Sequence, residues 1–282
     1  MTQALTDLPY RGSGAGRPAG LPLPPASMPL VRGGRLLKRW RYVGVYGPQI
    51  MVCAAEAQIG PARQAFWAVW DREEGRLSEH TTMRSRPVAL PPGRVVVTDG
   101  DAAIDLAFAE EDGVHVVTAD GSQFAWTRKM APLRVRGTVR LGPRTWDVDA
   151  LGLVDDSAGY HARHTAWSWS AGVGTDAAGG PVAWNLVTGV HDSPHDSERT
   201  VWSAGEPREV GPVAFAADLS SVAFAEGGAL AFHEESRRAH DDNRVIIRSS
   251  YVQPFGTFTG TLPGGVELAE GYGVMERHDV HW

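Results

Sequence analysis

The sequence contains one cysteine, Cys53, which excludes an internal disulfide and any zinc knuckle built from cysteines. A chain of 282 residues without a disulfide must be held by its core, and this cysteine usage fits the reducing cytoplasm, the expected location. Lysine is almost missing: Lys38 and Lys129 are the only two, and every other basic side chain is arginine. A net charge of −6 and a pI near 5.9 leave no basic excess to displace counterions from a phosphate backbone, so no nucleic-acid partner is expected. No apolar run approaches the ~20 residues that a membrane span needs, so no stable membrane insertion is expected either. The opening MTQALTDLPYRGSGAGRPAGLPLPPASMPL lacks a basic start and a continuous apolar stretch, and does not read as a secretory leader. Also missing are a GxSxG elbow, a Walker-type phosphate loop, and a GxGxxG placed between a strand and a helix. No cofactor is expected on these grounds.

Helical periodicity is scarce too; the best candidate, Phe232 to Arg244, reads equally well as a charged strand or hairpin. What remains is a succession of short apolar and aromatic runs at intervals of roughly ten residues, the spacing of an all-β sandwich or barrel. Asp99-Gly100, Asp112-Gly113 and Asp120-Gly121 suit tight hairpins, because glycine takes positive φ without a Cβ clash. So many strands exceed one comfortable sheet. The reading is an extended Pro/Gly-rich N-terminal arm over 1–35 and two antiparallel β units over 36–132 and 133–282. The division is placed where KMAPLRVRG interrupts the pattern. Leu21, Leu23, Met28 and Leu30 give the arm a means of wrapping along the body.

GYHARHTAWSWSAG, residues 159–172, is the densest chemical stretch. As a strand it places His161, Arg163, Thr165, Trp167 and Trp169 on one face and mostly small residues on the other. This suits a barrel strand whose bulky side lines an interior, with indoles deep and ionisable groups toward one end. The last strand, with the same period, gathers Tyr272, Val274, Glu276, His278, Val280 and Trp282 on one face. A buried Glu276 would need a partner such as His278 or Arg163 to remain charged. Trp184, Asn185 and Trp202 extend the candidate ligand-binding set, and ten tryptophans exceed what an ordinary core requires. Histidines pair at 161/164, 191/195 and 278/281; residues three apart on a strand point to opposite faces, which discounts the first and third pairs, and 191/195 flank DSP in a loop and could bind a metal only by chance of fold, so no metal site is expected. Cys53, within an apolar run, reads as a small core residue.

Long segments, among them WRYVGVYGPQIMVCAAEAQIG, DDSAGYHARHTAWSWSAGVG, VAWNLVTGVHDSPHDSERTVW and GYGVMERHDVHW, resemble a bacterial and fungal family known only as a domain of unknown function. More distantly, GYHARHTAW resembles the Gly-Tyr-His-Asp-His-Asn-Trp strand of carotenoid 1,2-hydratases. Those belong to a superfamily of tandem lipocalin-like barrels with tocopherol cyclases and survival-factor-like lipid-binding proteins. That resemblance implies two lipocalin-like units and, in the hydratases, an aspartate that protonates an alkene. Here Ala162 stands at that place; Tyr160 and His161 match, and the tryptophan is displaced to Trp167. A proton donor would have to come from Glu276, Asp155 or Asp156. Two functions are therefore expected to compete. The first is binding of a hydrophobic small molecule, a lipid or terpenoid, in an aromatic β cavity lined by Tyr160, His161, Arg163, Trp167, Trp169, Trp184, Asn185, Trp202, Tyr272 and Glu276. The second is a cofactor-independent hydratase, isomerase or cyclase in which Glu276, His161 and His278 do the acid–base work.

Overall fold

A computed structural model describes residues 3–83, 87–243 and 248–282. Apart from a helical turn at Gln3–Thr6 and a 3-10 turn at Gly14–Gly16, its regular elements are strands. The first thirteen are β1 Tyr10–Gly12, β2 Val31–Arg32, β3 Arg35–Leu36, β4 Lys38–Tyr46, β5 Ile50–Ile59, β6 Ala62–Asp71, β7 Arg76–Thr82, β8 Val88–Ala89, β9 Arg94–Asp99, β10 Ala102–Phe108, β11 Val114–Asp120, β12 Gln123–Leu141 and β13 Arg144–Gly159. The remaining nine are β14 His164–Asp176, β15 Pro181–Thr188, β16 Thr200–Ser203, β17 Glu206–Glu209, β18 Val213–Phe215, β19 Ser221–Phe224, β20 Ala229–Asn243, β21 Arg248–Leu262 and β22 Val266–His281. The Phe232–Arg244 segment is thus strand where it is described, in β20; Arg244 itself lies outside the described residues. The glycines of the three Asp-Gly pairs take φ of 59°, 77° and 63°, as tight turns require. No helix among the described residues is long and apolar enough to cross a membrane.

Two large antiparallel sheets result, and β2 pairs with β3 in a separate two-stranded ribbon. The first runs β7-β6-β5-β4-β13-β12-β10-β9-β8, with β11 attached to β12 and β1 attached to β11. The second runs β17-β16-β15-β14-β22-β21-β20-β19-β18. Both follow one plan: the last strand pairs with the first (β13 with β4, β22 with β14), and a meander extends to either side. The chain is a structural repeat with no matching sequence repeat. The first sheet ends at Gly159 and the second begins at His164, so the change of sheet falls there and not at 132/133 as the sequence suggests. Residues 132 and 133 lie inside β12, where a register shift between Met130 and Leu133 breaks the alternation without ending the strand.

Each sheet curls around its own apolar interior. Val43, Val52, Trp67, Val97, Ile104 and Val139 meet inside the first, although they come from strands on both wings of the sheet. Val182, Trp184, Leu186, Val222, Phe258 and Met275 fill the second. Both interiors are packed with side chains, as the drive to remove apolar surface from water and close voids requires. The two units are the tandem β architecture read from the sequence. A third cluster joins them: Tyr42, Tyr46, Met51 and Cys53 from the outer face of the first sheet pack on Trp169, Ala171, Phe255 and Val274 from the outer face of the second. In β4 and β5 the residues between (Val43, Val45, Val52, Ala54) face the barrel interior, so these strands are buried on both sides.

The arm is docked. Leu5 and Leu23 are buried against Leu37, Phe124, Trp126 and Tyr160, and β1 pairs with β11. Leu23→Ala is expected to lower the unfolding free energy by about 2–3 kcal/mol, read by denaturant unfolding. An unchanged midpoint would mean that this contact adds nothing to stability.

Candidate functional site

Period-two alternation on β14 and β22 brings the candidate aromatics and the acid onto one face, and that face is turned toward the partner sheet instead of into its own barrel. Trp169 lies opposite Glu276 in the ladder and Trp167 opposite His278. Glu276 is buried, and its carboxylate accepts Trp167 Nε1–H at Oε1 (2.7 Å) and Gln253 Nε2–H at Oε2 (2.9 Å). Both donors are neutral. Burial therefore dominates and pushes the carboxyl up to about 7, with the charge of Asp155 adding to the rise and the Trp167 and Gln253 hydrogen bonds opposing it.

Behind Gln253 stands a fully buried cation. Arg238 Nη1 approaches the Gln253 amide oxygen at 3.5 Å, Nε donates to Glu79 Oε2 at 2.5 Å, and the guanidinium lies 4.0 Å from the Phe66 ring centroid. With its amide oxygen turned to Arg238, Gln253 must present its NH2 to Glu276. The Tyr251 hydroxyl, on β21 beside Gln253, is buried next to Glu276; burial and the nearby Glu276 charge push its pKa well up.

Aromatic rings surround this acid. Trp40 stacks on Trp167 (6.4 Å, 9°), Tyr42 meets Trp169 edge-on at 5.5 Å, and His278 touches Trp167 at 4.4 Å and Tyr251 at 5.2 Å. Trp40, Phe66, Trp167, Tyr251 and His278 are only half-buried, so the cluster reaches the surface. Gly44 makes the back wall possible: a Cβ there would collide with the Tyr46 hydroxyl, which instead lies across the glycine and meets the Tyr42 hydroxyl at 2.7 Å. His278 is pushed down to about 4 by burial, so it is a neutral imidazole near pH 7, with Nε2 2.8 Å from Ser249 Oγ.

A second buried polar group lies on the same inter-sheet face. Lys129 Nζ is 2.5 Å from Asp155 Oδ1 and 3.3 Å from Glu198 Oε2. Burial, offset by the Lys129 charge and reinforced by Glu198, raises Asp155 to about 6. Trp169 donates to Asn185 Oδ1 (2.8 Å), and Asn185 Nδ2 donates to the Glu198 carbonyl (3.0 Å), so the two groups share a hydrogen-bonded wall. His191 and His161 sit edge-to-face at 5.4 Å, both pushed down to about 3 by burial, both with an Nε2 that has no hydrogen-bond partner among the described residues. His161 also stacks on Trp40 at 5.5 Å.

Of the residues singled out in the sequence, His161, Trp167, Trp169, Asn185, Glu276 and His278 come together here. Trp202 joins the inter-sheet apolar cluster. Tyr272 lies at its far end under Arg72, beside an open recess of about 890 Å³ lined by Trp70, Arg72, Trp146 and Glu235. Three residues lie elsewhere. Tyr160 packs on Phe124 under the arm and donates to the Pro29 carbonyl (2.8 Å), because the chain leaves the first sheet there. Arg163 is exposed in the connection before β14 begins, which frees it from the alternation of that strand. Trp184 occupies the second barrel's interior over Gly172, where an added Cβ would run into the indole. Asp156 is held by Arg41 and Arg128, and the Cys53 thiol is buried and pushed up by that burial. Composition and spacing carried no signal for Gln253, Arg238, Tyr42, Tyr251 or the Lys129 group. The lack of alternation in IMVCAA, apolar on both faces, marks a strand covered on both sides and is the one hint that the barrel's outside matters.

Residues 98–282 match the family described as Domain of unknown function (DUF2804). The chain belongs to this DUF2804 family. No curated protein matches it in sequence. Among solved structures, kievitone hydratase from Nectria haematococca is similar at 10% identity and a TM-score of 0.56, over 85% of this chain and 88% of that one. A protein described as an AttH from Nitrosomonas europaea is similar at 11% identity and a TM-score of 0.53, over 90% of this chain and 97% of that one. These likenesses show the fold: this DUF2804 protein shares with both solved structures the architecture of two antiparallel β units in tandem.

Proposed function

We propose that this DUF2804 protein carries out cofactor-independent acid–base chemistry on an apolar, unsaturated small molecule, with Glu276 as the general acid. The observation that carries the reading is a buried carboxyl with neutral donors, raised to about 7, set among half-buried indoles and phenols. Such a group holds its proton near neutral pH and sits close to the optimum for transferring it. Protonation of an alkene carbon by Glu276 leaves a cation, which the faces of Trp167 and Trp40 stabilise. Water then adds to that cation and gives up a proton to the Glu276 carboxylate, or an adjacent carbon gives its proton back to that carboxylate, yielding hydration or isomerisation respectively, with the carboxyl regenerated in either case. Neutral His278 and the Tyr251 hydroxyl, both beside the acid, stand ready to orient the substrate's polar group or the water. That kievitone hydratase, by its name a hydratase, shares the fold adds support by analogy only. Carriage of a lipid inside a barrel is the less favoured reading, because both interiors are filled by their own side chains.

The test is to incubate the protein with terpenoid, polyene and prenylated phenol panels in D2O and follow them by mass spectrometry. Deuterium appearing at a former alkene carbon, with or without added water, is the expected result. Retention of apolar compounds with no exchange across the panel would overturn the acid–base reading and return the carrier.

A further inference from the structure

We propose that His164, Asp279 and His281 form a binding site for a divalent first-row transition ion, of the zinc, nickel or copper class, on the face of the β14/β22 pair opposite Glu276. His164 and His281 are direct partners in the antiparallel ladder, and Asp279, two residues before His281, faces Ala166. The three side chains therefore emerge on one side of two adjacent strands. Ala166 occupies the fourth corner of this square and has no bulk with which to fill it.

Their geometry is close to that of a ligand set. His164 Nε2 lies 3.1 Å from Asp279 Oδ1, the two imidazoles stack at 4.0 Å with planes 6° apart, and ligand atoms from all three lie within 4.8 Å of one another. Metal–ligand bonds of about 2.1 Å place neighbouring ligand atoms about 3.0–3.4 Å apart, so the His164–Asp279 distance already fits and His281 needs only a side-chain rotation. Two imidazoles and one carboxylate suit borderline ions over magnesium or calcium, and they leave coordination positions open to water. All three residues are exposed, so the ion need not open the fold to enter. The supports are strands within a continuous ladder, fastened further by the Trp282 amide donating to the Arg163 carbonyl at 2.8 Å. The opposing charge nearby is Arg248, the β21 partner of His281; Ser250 faces Asp279 from the same strand.

Same-strand histidine spacing gives no sign of this site. His278 and His281 do point to opposite faces of β22, and His161 lies in the connection before β14 begins, but the register pairs His164 with His281 across the ladder.

Metal-free protein titrated with Zn2+ and Ni2+ by calorimetry is expected to bind one equivalent per chain. His164→Ala and His281→Ala should each weaken that by at least about tenfold, and Asp279→Asn should weaken it measurably. Thermal unfolding without metal checks that the variants are folded, and added Zn2+ should raise the wild-type midpoint but not that of the histidine variants. Absence of saturable binding, or equal affinity in folded His164→Ala and His281→Ala, would overturn the proposal. So would binding that survives these changes and is lost in His191→Phe, which would move the ion to the buried imidazoles.

Discussion

Glu276→Gln is expected to reduce turnover of any accepted alkene by about 10²–10⁴-fold, because the amide has the shape of the carboxyl but no acidic proton. The same substitution is expected to change how stability depends on pH. The folded protein raises this carboxyl from 4.5 to about 7, so the uncharged form is favoured by the fold. The resulting contribution is fully present below about pH 4.5, declines as pH rises through about 7, and is absent above that. Its total is about 3 kcal/mol, since one pKa unit corresponds to about 1.4 kcal/mol. An amide at this position cannot ionise, so between pH 4 and pH 8 the stability difference between the two proteins should move by up to about 3 kcal/mol in favour of the variant. Parallel stability curves by urea unfolding at the two pH values would show that Glu276 does not titrate as the buried site requires. Equal turnover would remove it from the chemistry.

The rate and stability measurements separate two roles that the geometry combines. A carboxyl retained only for structure would have been better served by a cation at salt-bridge distance, as at Arg238 with Glu79 or Lys129 with Asp155. Glu276 instead has an indole and an amide, while the nearby guanidinium of Arg238 is engaged by Glu79 and orients Gln253. This arrangement keeps the carboxyl solvated by dipoles and leaves its proton available.

Strand periodicity made part of this visible in advance. The alternation of HTAWSWS and of GYGVMERHD puts Trp167 and Trp169 on one face and Glu276 and His278 on another, and the ladder then sets those faces side by side. Alternation does not say which side of a curled sheet is the inside. Here the face assigned to a cavity is the outer one, and it is buried only because a second barrel packs on it. That is why Trp184, one position out of phase with Asn185, went to the barrel core while Asn185 reached the site. Residues supplied by other strands, such as Tyr42, Arg238 and Gln253, depend on which strands become neighbours. That is fixed by a topology repeated in the two halves without a repeated sequence. The cross-strand histidines were hidden for the same reason.

Lys129→Met is expected to be among the most destabilising single changes in the molecule, at about 3–5 kcal/mol. The ammonium is all but inaccessible and lies against two carboxylates that are themselves buried, Asp155 and Glu198. Removing it leaves two acids facing each other in a low-dielectric seam, where one must take up a proton or the two barrels must part. Because Lys129 and Asp155 come from the first sheet and Glu198 from the connection between β15 and β16, the loss should be felt at the junction before it is felt in either core. Combining Lys129→Met with Asp155→Asn and Glu198→Gln removes every charge of the group and should restore most of the lost stability, since a neutral, well-filled site avoids the desolvation cost altogether. Urea unfolding of the single and triple variants measures both steps. A single variant within about 1 kcal/mol of the wild type would mean that water reaches the triad, and with it the wall it shares with Trp169 and Asn185, so the raised carboxyls of Asp155 and Glu276 would lose their physical basis as well.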